Sequence, residues 1–343
     1  MRRMNRREAI AMLGAGAAAA FGIGAAPTFP RKSVIRTVLK DVPPEALGAK
    51  ATLFHEHLSF EWARVTGRSD RPGPAKDPGP ILEQLTAAAS EGVGCIVDAG
   101  TTDIGRDVAF LKQLAARTDI HIVSCGGMYM QRTYPADIAS RSEREIAGDL
   151  VRDVMANGYG ALGEIGESPD AKMSNDEAKV FRAIGRAHRQ TNLPIFTHNA
   201  YGTGANVPRD AALTQLSVLE SAGVDANRVA IGHTCCLDDP KAEVIKAIAK
   251  RGAYVGFDRV AGGFVPDDKK VAMLLAFLDA GHADRLLLSS DYNFTAKNAT
   301  RPGYGTTLTV FLPKLRQAGV KEETIHQIMF DNPRRFLAFV PRA

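Results

Sequence analysis

From Gly48 onward, short apolar runs alternate with longer stretches whose apolar residues recur at helical spacing. The runs Ala51–His57, Cys95–Ala99, Ile120–Cys125, Gly160–Gly163, Pro194–Thr197, Val229–Gly232, Ala253–Phe257 and Arg285–Ser290 predict strands. Between them the pattern predicts helices over Ile81–Glu91, Arg106–Ala116, Ser142–Ala156, Glu177–Gln190, Asp210–Ala222, Pro240–Arg251 and Lys269–Ala280. Helical stretches at Thr306–Ala318 and Lys321–Met329 close the chain, and Arg68–Pro80 is a Pro/Gly-rich loop. Strands that alternate with helices run parallel, and about eight such units predict a closed (β/α)8 barrel of the TIM type. The alternative is an open doubly wound sheet. No glycine-rich dinucleotide fingerprint follows the first strand, so the barrel is preferred.

The first 26 residues do not fit this alternation. Asn5-Arg6-Arg7-Glu8 precedes a mild Ala/Gly-rich apolar run from Ala11 to Ala26. A basic start, a short apolar stretch and small residues before Pro27 describe an export signal. The paired arginines and weak hydrophobicity resemble a twin-arginine signal, which implies a periplasmic destination. Cleavage is expected near Ala25–Ala26, leaving 27–343 as a single barrel domain. The apolar run is short and glycine-rich for spanning a membrane, so no stable insertion is expected once it is removed.

Composition bounds the rest. With 343 residues, 45% hydrophobic and 24% charged, the chain can bury one large core. The leader supplies +3 of the formal +5, and the remaining +2, with no basic stripe among aromatics, argues against nucleic acid. Cys95 and Cys125 fall inside strand-like runs and read as small core residues, whereas Cys235 and Cys236 are adjacent and have no evident role. No disulfide framework emerges.

The candidate chemistry begins at His55-Glu56-His57. Alternate residues of a strand share a face, so the two imidazoles point together and Glu56 points the other way. Glu164, His198, His233 and Asp291 each end a later predicted strand. The C-terminal strand ends of a barrel converge on one face, where the chemistry of this fold resides, so all six would meet in one pocket. His121, His188, His282 and His326 fall at strand starts or in helices and their flanks, and are assigned no role.

The chain resembles the phosphotriesterase-like branch of the amidohydrolase superfamily. The resemblance rests on the His-Glu-His stretch, Gly163-Glu164-Ile165-Gly166, Thr197-His198-Asn199, Ile231-Gly232-His233, Gly256-Phe257-Asp258-Arg259, Ser289-Ser290-Asp291-Tyr292 and the closing Asn332-Pro333-Arg334-Arg335-Phe336. It implies that His55, His57 and Asp291 hold one divalent ion, that His198 and His233 hold a second, and that Glu164 bridges the two. Imidazole and carboxylate ligands favour zinc, with manganese or cobalt as alternatives. Asp291 would serve both as ligand and as proton acceptor from the attacking hydroxide. Many relatives bridge with a carboxylated lysine. Glu164 keeps the −1 charge on a shorter arm, so either the metals sit deeper or the strand bulges inward.

Two further departures bear on substrate. Cys236 replaces a carboxylate that relatives often carry three residues after the strand-six histidine, and Arg259 replaces a histidine of the best phosphotriesterases. Together with Tyr129, Arg259 resembles the lactonase-like relatives, where an arginine and a tyrosine line the pocket. The expected function is therefore hydrolysis of an ester, a lactone first, with phosphotriesters as a side activity. The alternatives are a dedicated phosphotriester hydrolase, or a non-catalytic exported barrel that binds metal or ligand. For Arg259 the plain alternative is a salt bridge with Asp258 or another loop carboxylate, and for Tyr129 it is packing at the mouth. The partner expected is a small ester or lactone, with a homodimer left open.

Overall fold

A computed structural model describes residues 27–70, 76–169, 172–202, 207–294 and 303–342; the leader, 1–26, lies outside them. A short antiparallel pair comes first, β1 (Ile35–Arg36) with β2 (Asp41–Val42). Eight parallel strands follow: β3 (Ala51–Glu56), β4 (Val93–Asp98), β5 (His121–Gly126), β6 (Ala161–Gly166), β7 (Ile195–His198), β8 (Val229–Ile231), β9 (Tyr254–Phe257) and β10 (Leu286–Leu288). Each pairs with the next in chain order, and helices return the chain between them. This is the barrel that the alternation predicts.

The last seam closes differently from the others. No ladder joins β10 to β3. Instead the chain after β10 meets the end of β3, with Asp291 N donating to His55 O (3.3 Å) and His57 N to Tyr292 O (2.9 Å). Glu56 latches this seam from the face opposite the histidines. Its buried carboxylate accepts from Ser289 Oγ (3.0 Å), Ser290 N (2.9 Å), Ser290 Oγ (2.9 Å) and Tyr292 N (2.6 Å).

Side chains alternate between two cores, as the pleat requires. Phe54, Cys95, Val97, Val123, Cys125, Ala161, Phe196, Ala230 and Leu287 fill the barrel interior, so Cys95 and Cys125 are core residues as read from the sequence. Leu53, Ile96, Ile122, Leu162, Ile195, Ile231 and Leu288 face the helices. Helix ends follow local chemistry. Ser142 and Ser174 each form a reciprocal cap with the glutamate three residues on, so helices begin at Glu143 and at Asn175, the latter two residues before its expected start. Among the described residues no helix is long and apolar enough to cross a membrane.

Candidate active site

All six ligand-type residues of the sequence reading meet at the C-terminal mouth of the barrel. Two strand irregularities put them there. In β3, Leu53 pairs with Ile96 and Glu56 with Asp98, so one extra residue is accommodated between them. That bulge lets Phe54 enter the interior while its neighbour His55 also turns inward, which strict alternation forbids. In β6, Leu162 pairs with Ile195 and Ile165 with Thr197, again with one extra residue. Glu164 sits on this bulge rather than at the strand end, and a bulge there is one of the two accommodations expected for its short arm. His198 is the last residue of β7. His233 and Asp291 lie just beyond β8 and β10 in left-handed backbone, φ 53° and 51°, a strained conformation that is common at functional sites.

Glu164 is the common neighbour. Its Oε2 lies 2.6 Å from His55 Nε2 and 3.5 Å from His233 Nε2, and its Oε1 lies 3.4 Å from His198 Nδ1 and 4.0 Å from His57 Nε2. Two sets of converging ligand atoms result, His55–His57–Glu164 and Glu164–His198–His233. Asp291 stands beside the first set, with Oδ1 3.2 Å from His57 Nε2 and 3.7 Å from His55 Nε2. The donors suit a pair of divalent ions. Buried His55 Nε2 and Glu164 Oε2 face each other at 2.6 Å, yet among the described residues neither makes a hydrogen bond of good geometry, and an unsatisfied buried polar atom is costly. A cation held by each set would satisfy both atoms.

Asp258, read from the sequence only as a neighbour of Arg259, holds one histidine of each set. Its Oδ1 accepts from His233 N (2.8 Å) and lies 3.0 Å from His233 Nδ1, and its Oδ2 lies 3.0 Å from His55 Nδ1. A carboxylate behind a ligating imidazole fixes the ring and raises its basicity. The approach needs Gly232, since a Cβ there would stand 2.8 Å from Asp258 Oδ2 and collide with Thr197 O. Burial opposes charge on His233, but Asp258 outweighs it and holds the pKa up to about 10. Burial wins at His198, whose pKa is pushed down to about 4 and whose ring stays neutral. Glu164 is held well below the usual carboxylate range, because His55 and His198 overcome its burial.

Arg259 pairs with Asp291, not with Asp258. Its Nε donates to Asp291 Oδ2 (2.8 Å), Nη2 lies 2.6 Å from the same oxygen, and Nη1 donates to Gly202 O (2.6 Å). Tyr129 is buried with its hydroxyl 3.1 Å from His198 Nδ1. Burial, reinforced by Glu164 and Asp291, pushes its phenol well up, so it remains a hydrogen-bond donor. These groups line a cavity of about 330 Å³. Its floor holds His57, Glu164, His198, His233 and Asp291, and Phe60, Trp62, Val65 and Phe264 form an apolar wall. Trp62 is pinned through Nε1 to Asn293 Oδ1 (3.1 Å). Cys235 and Cys236 are buried free thiols, and Cys235 Sγ accepts from Arg259 N (3.2 Å).

Residues 33–337 match the family model for the phosphotriesterase family. The chain belongs to that family. Its members are hydrolases with binuclear metal-dependent sites, in keeping with the two His/Glu sets. This phosphotriesterase-family chain is 33% identical to the phosphotriesterase homology protein of Escherichia coli over 299 residues, covering 83% of this chain and 97% of that protein. A crystal structure of a protein of that name from E. coli, with phosphate in the active site, has a TM-score of 0.76 at 31% identity and covers 84% of this chain and 99% of the other. The aryldialkylphosphatase of Saccharolobus solfataricus is 29% identical over 84% of this chain and 94% of its own length. The lactonase structure from Listeria monocytogenes shares the fold, with a TM-score of 0.76 at 24% identity over 89% of this chain and 99% of that one.

Proposed function

We propose that this phosphotriesterase-family hydrolase opens an ester at a carbonyl carbon, with a lactone as its substrate class and phosphotriesters as a side activity. One observation carries the reading. A fixed guanidinium, Arg259, and a protonated phenol, Tyr129, flank the same cavity floor. In this reading His55, His57 and Asp291 would hold one ion and His198 and His233 the other, Glu164 would serve both, and zinc is the first choice of metal. When bound, two such ions supply Lewis acidity and acidify a shared water toward neutral pH.

The chain's own groups supply the remainder. Arg259 holds Oδ2 of Asp291 and leaves Oδ1 turned to the histidines, where it can take the proton of the nucleophile. Tyr129 donates to the oxyanion that develops on the carbonyl oxygen, and Arg259 places a cation beside it. Phe60 and Trp62 cover the organic part of the substrate and exclude water. A neutral phosphotriester develops less concentrated charge for the arginine to stabilise. The aryldialkylphosphatase relative supports keeping that class as the second reading. A non-catalytic barrel is disfavoured because all six ligand-type residues are present and converge. We further propose that the protein is exported by the twin-arginine-type leader and works in the periplasm.

The deciding experiment is a panel of lactones, linear esters and phosphotriesters on protein loaded with zinc, manganese or cobalt. The expected result is lactone turnover with the highest kcat/KM. Phosphotriester turnover exceeding it on every metal would reverse the ranking, and no turnover with both ions bound would favour the non-catalytic alternative.

A further inference from the structure

Arg132 is a second guanidinium on the wall of the active-site cavity, and the reaction as derived does not use it. It differs from Arg259 in one respect. Arg259 is committed to Asp291 and the Gly202 carbonyl, whereas Arg132, among the described residues, has no ion-pair or hydrogen-bond partner. Among the described residues, the carboxylates lining the cavity are Glu164 and Asp291, and both belong to the floor, where imidazoles and Arg259 engage them. Among these residues Arg132 is thus a cation with no paired carboxylate, above a floor that would become more positive with cations bound.

The backbone that presents Arg132 is fixed. Tyr129 N (2.9 Å) and Thr133 Oγ1 (2.5 Å) both donate to Asp103 Oδ2, so one carboxylate pins the turn on either side of Arg132. Thr133 N donates to Met130 O (2.9 Å) and closes the turn. The guanidinium thus stands three residues from the phenol that faces the reacting group. At about 330 Å³ the cavity is at the small end for ligand sites. A substrate that fills the floor therefore brings its far end to the rim.

We infer that the substrate of this enzyme is an anionic ester or lactone, bearing a carboxylate or comparable oxyanion a few bonds from the scissile bond, and that Arg132 binds that anion. The inference deepens the ester-hydrolase reading and rests on it for the reacting group. A planar guanidinium takes a carboxylate through two parallel N–H···O bonds, a geometry that a neutral substituent of the same shape cannot use. Arg132 is then a specificity residue: it selects among substrates and contributes to KM more than to kcat.

The test compares two γ-lactones of the same ring, one substituted with a carboxylate and the other with the carboxamide, on the full zinc-loaded protein. The parent is expected to favour the acid by about tenfold or more in kcat/KM, the scale of one charge-assisted pair. Arg132→Ala should collapse that ratio toward one, chiefly by raising KM for the acid, and Arg132→Lys should restore part of it. Because the readout is a ratio, a general loss of activity cancels. A parent that does not favour the acid, or a ratio unchanged in Arg132→Ala, overturns the inference.

If no lactone is turned over, the ester reading fails, and binding still decides the role of Arg132. Calorimetry with glutarate and butyrate separates a dianion that reaches both floor and rim from a monoanion that reaches the floor alone. Parent protein should bind glutarate about tenfold more tightly than butyrate, and Arg132→Ala should not. Equal preference in the two proteins overturns the inference independently of turnover.

Discussion

Arg259 donates from Nε to Asp291 Oδ2 at 2.8 Å, and this ion pair ties the chain after β9 to the chain after β10 across the cavity mouth. It gives Arg259 two effects that mutation would mix: it places a cation beside the substrate, and it fixes the orientation of Asp291. Arg259→Ala is expected to lower lactone kcat/KM by roughly a hundredfold or more, the scale of losing one oxyanion donor. Phosphotriester turnover should fall less, since it shares only the dependence on Asp291. Steady-state rates on both substrate classes give the answer as a ratio of ratios. An equal fall in both would mean that Arg259 acts only by holding Asp291.

A single carboxylate, Asp258, addresses His55 and His233, one from each ligand set. Asp258→Asn should therefore weaken both metal positions together, each by about tenfold to a hundredfold. Competition against a chromophoric chelator measures the two affinities in one titration. Weakening at one position only would show that the second contact does not orient its imidazole.

Glu164 reaches both sets from the bulge in β6 with a carboxylate of its own. A carboxylated lysine needs carbon dioxide to assemble, whereas Glu164 does not. Protein stripped of metal should regain about two ions per chain, and with them its activity, at the same rate with and without bicarbonate. A strong bicarbonate requirement would assign the bridge to another residue. His55→Ala and Asp291→Asn should abolish turnover while the circular dichroism spectrum stays that of the parent.

His188 lies buried in a helix with Nδ1 2.7 Å from Leu193 O, and burial lowers its pKa below the ordinary 6.5. The unfolded chain takes up a proton near that value that the folded chain resists. The stability contributed by a neutral His188 is therefore present above about pH 6.5 and is lost as pH falls toward the folded-state value. The fall in Tm between about pH 7.5 and about pH 5.5 should be smaller in His188→Asn than in the parent. An identical fall in both would mean that this histidine does not couple folding to protons.

The leader carries a prediction of its own. Replacing Arg6 and Arg7 with lysines should leave unprocessed precursor in the cytoplasm, as read by fractionation and immunoblotting. Undiminished export would assign the segment to another route.

Much of this molecule was legible along the chain. Short continuous apolar runs separated by helical patterns encode a parallel barrel, because each run can bury both faces only between other strands and a helical layer. A barrel also gathers its strand ends, so imidazoles and carboxylates at the ends of separate runs already implied one pocket. The pairing of His55 with His57 on one face follows from the pleat alone.

Tertiary structure decided what local periodicity cannot encode. Strict alternation places Phe54 and His55 on opposite faces, and only the bulge against β4 lets one fill the interior while the other enters the site. The same kind of irregularity carries Glu164 inward from within β6. Glu56 carried no role in the sequence because its partners, Ser289, Ser290 and Tyr292, stand more than two hundred residues away and meet it only when the barrel closes. Arg259 had a carboxylate beside it in sequence, yet Asp258 is directed to two histidines and Asp291 takes the guanidinium. Side-chain type and spacing determined which groups reach the mouth. Which of them face one another was set by register, bulges and seam closure, which are properties of strands distant in sequence.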